Sequence, residues 1–244
     1  MERPSDAMRG LYEDRAAQQY GEAQPLPDPR IDRKFGKILA LLREQLPCEA
    51  FLDAGCGDGR YLAALAKELP ARRAGVDISE RILETARARV DADLRQANLE
   101  ALPFDDDEFD LVLCTQVIEH VPRPDVAVFE LARVLRPGGR LVISTDNERN
   151  LVSQALNAPR TLAVGTLRLR GARGRIESPA TPYAPPAFRT LLEAGGFAVE
   201  RVETFRFHLM WPLAAPPFTR ALNWVDEHLP PHEVGDILVA VARR

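Results

Sequence analysis

Three glycines two residues apart, Gly55, Gly57 and Gly59, follow an apolar run from Ala50 to Ala54 that carries one carboxylate, Asp53. An amphipathic segment from Arg60 to Leu69 begins directly behind them, so the stretch reads as strand, tight turn and helix. Glycine suits such a turn because its missing Cβ permits positive φ and lets the backbone approach a ligand closely. The first N–H groups of the following helix would face that ligand. Asp53 would stand at the carboxyl end of its strand, the edge where open α/β sheets bind small molecules. A second carboxylate, Asp77, ends the next apolar segment, Ala74-Gly75-Val76, about where nucleoside-binding βαβ units place the acid that accepts both ribose hydroxyls. The spacing disfavours a dinucleotide, since G-x-G-x-x-G would require its third glycine at position 60, where Arg60 stands.

The elements that must position these residues alternate along the chain. Ser79 is an N-cap for a helix whose apolar face is Ile82, Leu83, Ala86 and Val90. Asp93 to Ala97 and Phe109 to Cys114 read as strands, Asp125 to Leu135 as a helix, and Arg136-Pro137-Gly138-Gly139 as a turn before a strand from Arg140 to Thr145. Further on come a helix from Ala187 to Ala194, a strand from Phe197 to Phe207 and a last strand from Asp236 to Ala242. Such alternation specifies a doubly wound α/β sheet with right-handed crossovers. Ahead of it, Ile31, Phe35, Ile38, Leu39, Leu42 and Leu46 recur at helical spacing in a helix ending at Pro47. The expected organisation is therefore an extension and cap helix over residues 1–47, and one domain over 48–244 with insertions at about 150–186 and 208–234.

The pattern Asp-x-Gly-x-Gly-x-Gly resembles motif I of the class I S-adenosylmethionine-dependent methyltransferases, and L-R-P-G-G-R-L-V-I-S, from Leu135 to Ser144, resembles that family's post-core motif. The resemblance covers about residues 50 to 146. It implies a mostly parallel seven-stranded Rossmann-like sheet with its last strand antiparallel, and S-adenosylmethionine as cofactor. Carried over position by position, it implies that the cofactor is held by Asp53, Gly55, Cys56, Gly57 and Gly59 in the turn and by Asp77 and Ile78 after the second strand. Asn98 and Leu99 would lie at the adenine, with Asn98 replacing the usual Asp; its amide carbonyl can still accept from the adenine N6–H. Thr115 and Gln116 would lie beside the methionine half. Glu119-His120 would sit near the transferred methyl, making His120 the candidate general base for a hydroxyl acceptor. The implied activity is methyl transfer to an O, N or C atom of a small-molecule acceptor: a quinone, a lipid precursor or a specialised metabolite. The other readings are a methyltransferase of protein or tRNA, a cofactor-binding partner without turnover, and a nicotinamide oxidoreductase. The intact turn, Asp77 and Glu119-His120 oppose the second of these, and Arg60 opposes the third.

Composition narrows the partners. With 36 acidic against 32 basic residues the net charge is −4, which supplies no global field for nucleic acid. Residues Met1 to Gly10 lack an apolar signal core, and the longest apolar run, Phe207 to Phe218, is broken by prolines, so neither a leader nor a membrane span is expected. Cys48, Cys56 and Cys114 form no C-x-x-C pair, and with neither disulfides nor zinc indicated a reducing cytoplasm is the simplest setting. The run Asp105-Asp106-Asp107-Glu108 reads as a solvated turn, and no metal site is expected. The insertion from Asn150 to Pro186 is locally basic through Arg160, Arg168, Arg170, Arg173 and Arg175; a solvated loop is the simpler account, and binding of a phosphate, a carboxylate or, by peripheral contact, an anionic lipid surface the functional one. The apolar insertion, with Met210, Trp211 and Trp224, is the expected acceptor pocket together with the N-terminal helix. Nothing in the sequence bears on oligomeric state.

Overall fold

A computed structural model describes residues 9, 10, 12–14, 25–149, 181–205 and 235–244. Helix α1 (Arg33–Glu44) precedes β1 (Ala50–Ala54), α2 (Arg60–Ala64), β2 (Arg72–Asp77), α3 (Glu80–Arg89), β3 (Asp93–Gln96) and β4 (Phe109–Thr115). A 3-10 turn (Ile118–His120), α4 (Pro124–Val134), β5 (Leu135–Asp146), α5 (Pro185–Ala194), β6 (Ala198–Phe205) and β7 (Ile237–Arg243) complete the order. The seven strands lie in the order β3-β2-β1-β4-β5-β7-β6. All neighbours from β3 to β5 pair in parallel, and β7 runs antiparallel to both β5 and β6, so the expected architecture holds.

The central strands are apolar on both faces because both faces are covered. One face packs Leu52, Val112, Leu141 and Leu238 with Leu131 of α4 and Phe188 of α5; the other packs Phe51, Leu111, Val142 and Val239 with Phe35, Ile38 and Leu42 of α1. Chain order reverses beside β1, whose followers β2 and β3 lie on one side and β4 and β5 on the other. The carboxyl end of β1 is thus the switch point at which such sheets open a crevice.

Ser79 caps α3 as expected, its hydroxyl accepting the Ile82 N–H at 3.3 Å. Three expectations are corrected. The helix behind the glycine turn closes at Ala64 rather than Leu69, passing into turns over 65–68. The Pro-Gly-Gly turn is instead an irregularity inside β5: pairing jumps from Phe109–Leu135 to Leu111–Arg140, and Gly138 at φ 81° makes the jump feasible. Ile31 is 80% exposed, because Asp32 starts α1 after it, accepting the Phe35 N–H at 3.0 Å. The basic stretch 160–175, the insertion with Met210, Trp211 and Trp224, and the flanking parts of the N-terminal extension lie outside the described residues.

Candidate functional site

The glycine turn spends its own amides on protein. Gly55 and Cys56 N–H both donate to Val76 O at 2.8 Å, Gly57 N–H donates to Asp77 Oδ2 at 2.9 Å, and Gly59 N–H donates to Cys56 O at 3.0 Å. These four amides are therefore spent within the protein. What glycine provides is conformation and proximity: Gly55, Gly57 and Gly59 have φ of 89°, 52° and 73°. A Cβ on Gly55 would strike the Val117 side chain, so this glycine lets the loop after β4 close against the end of β1. Cys56 is buried, its thiol turned to Gly57 O, and burial raises its pKa well above the ordinary value.

Two carboxylates of the turn are buried in opposite circumstances. Asp58 is 3% exposed and clamped by arginines: Arg89 at 2.8 Å, and Arg60 through Nε at 2.9 Å and a second nitrogen at 3.2 Å. Asp53 is fully buried, and neither of its oxygens has a hydrogen-bond partner among the described residues. Burial, then the nearby Asp77 and Asp58, push its pKa up to about 8. Such a carboxylate is costly unless compensated, and it makes the crevice at the end of β1 complementary to a cation or a hydrogen-bond donor.

Asp77 anchors the other wall. It accepts from Gly57 N–H at 2.9 Å and Ser79 N–H at 3.0 Å, and the Ile78 backbone N–H also bonds to it. Burial lifts its pKa to about 6 against the lowering effect of those bonds. Ile78 follows, half-buried, its carbonyl accepting from Gln96 Nε2 at 3.0 Å. Asn98 uses one lone pair of its amide oxygen on Glu100 N–H at 3.1 Å, and Leu99 is 4% exposed within the core.

At the end of β4, the Thr115 and Ser144 hydroxyls share a 2.6 Å hydrogen bond. Gln116 takes the left-handed conformation at φ 57°, and its buried Nε2 has no hydrogen-bond partner among the described residues. A left-handed non-glycine residue with an unspent donor marks a place where geometry is held at a cost. Glu119 and His120 part company: Glu119 is 3% exposed and accepts from Thr145 Oγ1 at 3.0 Å, burial pushing its pKa up to about 7. His120 packs its ring edge-on against Tyr12, with centroids 5.9 Å apart.

Three of the four residues in the acidic run pair with arginines. Asp106 pairs with Arg133 at 2.8 Å, Asp107 with Arg244 and Glu108 with Arg72. Sequence reasoning missed Tyr12 and Glu13, which reach the site from the N-terminal segment. The available signal was an aromatic in an otherwise charged stretch.

The fold is that of an open α/β sheet with carboxylates, Asp53 and Asp77, at the β1 and β2 ends beside its switch point. A family model described as a methyltransferase domain matches residues 52–143, which contain the turn, Asp77 and Glu119-His120. Methyltransferase GfsG of Streptomyces halstedii is 33% identical over 150 residues, covering 57% of this chain and 54% of that protein. The ubiquinone biosynthesis O-methyltransferase of Alkalilimnicola ehrlichii is 35% identical over 133 residues, 52% of this chain and 53% of that one. The chain thus spans about half the length of these curated relatives. An S-adenosylmethionine-dependent methyltransferase from Mesorhizobium loti has a similar fold, with a TM-score of 0.60 and 22% identity over 84% of this chain and 96% of that one. Residues 52–143 thus match a methyltransferase domain, and the relatives and the fold are those of S-adenosylmethionine-dependent methyltransferases.

Proposed function

We propose that the protein transfers a methyl group from S-adenosylmethionine to an O, N or C atom of a small-molecule acceptor. The observation that carries this reading is Asp53, a fully buried carboxylate with no hydrogen-bond partner among the described residues, at the switch point of the sheet. The cofactor, when bound, supplies an electrophilic methyl on a sulfonium. Asp53 would compensate its positive charge, and Asp77 would accept the ribose hydroxyls. Ile78, Asn98 and Leu99 would line the adenine end. Gly55, Cys56, Gly57 and Gly59 would shape the wall along the cofactor, and Thr115 and Gln116 the methionine end. The remaining work is alignment and exclusion of water.

For a hydroxyl acceptor, His120 would take the proton as the new bond to methyl forms; an amine arriving neutral needs no base. A small acceptor is supported by the acidic net charge and by the two curated relatives, one of which is named for ubiquinone biosynthesis. The division into residues 1–47 and 48–244 belongs to the same proposal, with acceptor identity assigned to the insertions on sequence grounds.

Incubation of the purified protein with methyl-labelled S-adenosylmethionine and a panel of phenols, quinols and amphipathic lipid precursors tests the proposal. Label is expected in a small-molecule product. Replacing His120 by Ala should lower turnover of a hydroxyl acceptor about 10² to 10⁴-fold with cofactor affinity nearly intact. Tight NAD binding with no affinity for S-adenosylmethionine would overturn the reading.

A further inference from the structure

Residues 12 and 13 touch two parts of the sheet edge that are not adjacent. The Glu13 carboxylate accepts from Ser79 Oγ at 3.0 Å and from the first backbone N–H groups of α3, Glu80 at 2.8 Å and Arg81 at 3.4 Å. These groups follow β2. The Tyr12 ring lies edge-on to His120, which follows β4. Because β1 lies between β2 and β4, residues 12 and 13 bridge the segments that follow the strands on either side of the one that carries Asp53. Consecutive Cα atoms are only about 3.8 Å apart, so two adjacent residues make this bridge through their side chains.

The chemistry of the contact is strong for so short a segment. A carboxylate at a helix N-terminus meets unspent N–H donors and the positive end of the helix dipole. Ser79 contributes twice, its hydroxyl donating to Glu13 and accepting from Ile82 N–H.

We propose that Glu13 is a positioning residue that latches the N-terminal segment across the crevice, holding Tyr12 against His120, so that opening of this latch sets the rate at which cofactor enters and leaves. The proposal rests on the cofactor reading above for its kinetic consequence, while the latch itself is a property of the ligand-free protein.

Two measurements separate these. Hydrogen exchange at the Glu80 and Arg81 amides of the ligand-free protein should accelerate about tenfold or more in Glu13→Ala, since a charge-assisted bond is lost, and should change less in Glu13→Gln, whose amide oxygen still accepts. Unchanged exchange in Glu13→Ala overturns the latch whatever the ligand is. Stopped-flow dissociation of S-adenosylhomocysteine should be about tenfold faster in Glu13→Ala, with the rate in Tyr12→Ala also raised. Faster exchange with an unchanged dissociation rate overturns the gating role. If the parent protein fails to bind S-adenosylhomocysteine, the cofactor reading falls and the gating role with it, and the exchange experiment still decides the latch.

Discussion

Asp53 and Asp58 bracket one turn, are both excluded from solvent, and are treated by the fold in opposite ways. At the helix end, Asp58 faces Arg60 and Arg89, and its charge ties the turn to α3. At the strand end, Asp53 meets the rising charge of Asp77 and Asp58 and has no hydrogen-bond partner among the described residues. A buried charge that is fully paired holds structure together. One without a hydrogen-bond partner among the described residues is costly unless a ligand compensates it. On the proposed cofactor reading, Asp58 belongs to the structural half of the turn and Asp53 to its binding half.

The largest effect that could break this comparison is on the structural side. Asp58→Ala deprives Arg89, whose side chain is 8% exposed, of its carboxylate, and urea denaturation is expected to show a loss of about 3–5 kcal/mol. A loss no larger than that of a typical surface substitution would mean that the clamp is not structural.

Asp53→Asn should act in the other direction and should depend on pH. A carboxyl whose folded pKa is raised from 3.8 to about 8 favours folding most below pH ~4 and loses that contribution as pH rises through about 8. The asparagine variant lacks this slope. Its ligand-free stability relative to the parent is expected to grow by about 3–4 kcal/mol between pH 5 and pH 8, as measured by denaturation at both values. Parallel pH profiles for parent and variant would show that Asp53 is compensated within the fold.

Gly55→Ala sharpens the account of the turn. It imposes a Cβ at φ 89° and drives it into Val117, for an expected cost of about 2–4 kcal/mol. Gly55→Ala combined with Val117→Ala should recover part of that loss, because Val117 is the obstacle. A smaller effect belongs to Asp77→Ala, which removes charge-assisted bonds worth about 1.5–3 kcal/mol. Calorimetry should then record roughly tenfold or more weaker S-adenosylhomocysteine binding.

The parts legible in the sequence are those set by neighbours along the chain. Alternating apolar runs gave the strand ends that bring Asp53 and Asp77 together, and Ser79 announced the start of α3 by its own chemistry. The parts that were not legible depend on partners far apart in sequence. Nothing near Asp58 indicates that Arg89 will neutralise it, and nothing near Glu13 indicates that it will cap a helix beginning at Glu80. The same holds for the Gly55 and Cys56 N–H groups, absorbed by Val76 of the neighbouring strand, and for Glu119, which accepts from Thr145 of β5 while His120 packs against Tyr12. The Pro-Gly-Gly stretch misled because a local turn signal was absorbed into β5, where Gly138 N–H donates to Arg244 O and Arg244 N–H donates to Gly139 O.

The most direct test of the central claim is proton release on cofactor binding, by calorimetry at pH 7 in buffers of different ionisation enthalpy, for the parent and for Asp53→Asn. With a pKa of about 8, Asp53 is roughly nine-tenths protonated at pH 7, and a bound cation should lower that pKa and expel the proton. The parent should therefore release up to about 0.9 proton more per S-adenosylmethionine than the Asn variant, and should bind it more tightly. Equal proton release and equal affinity in the two proteins would contradict the assignment of Asp53 to the cofactor's positive charge.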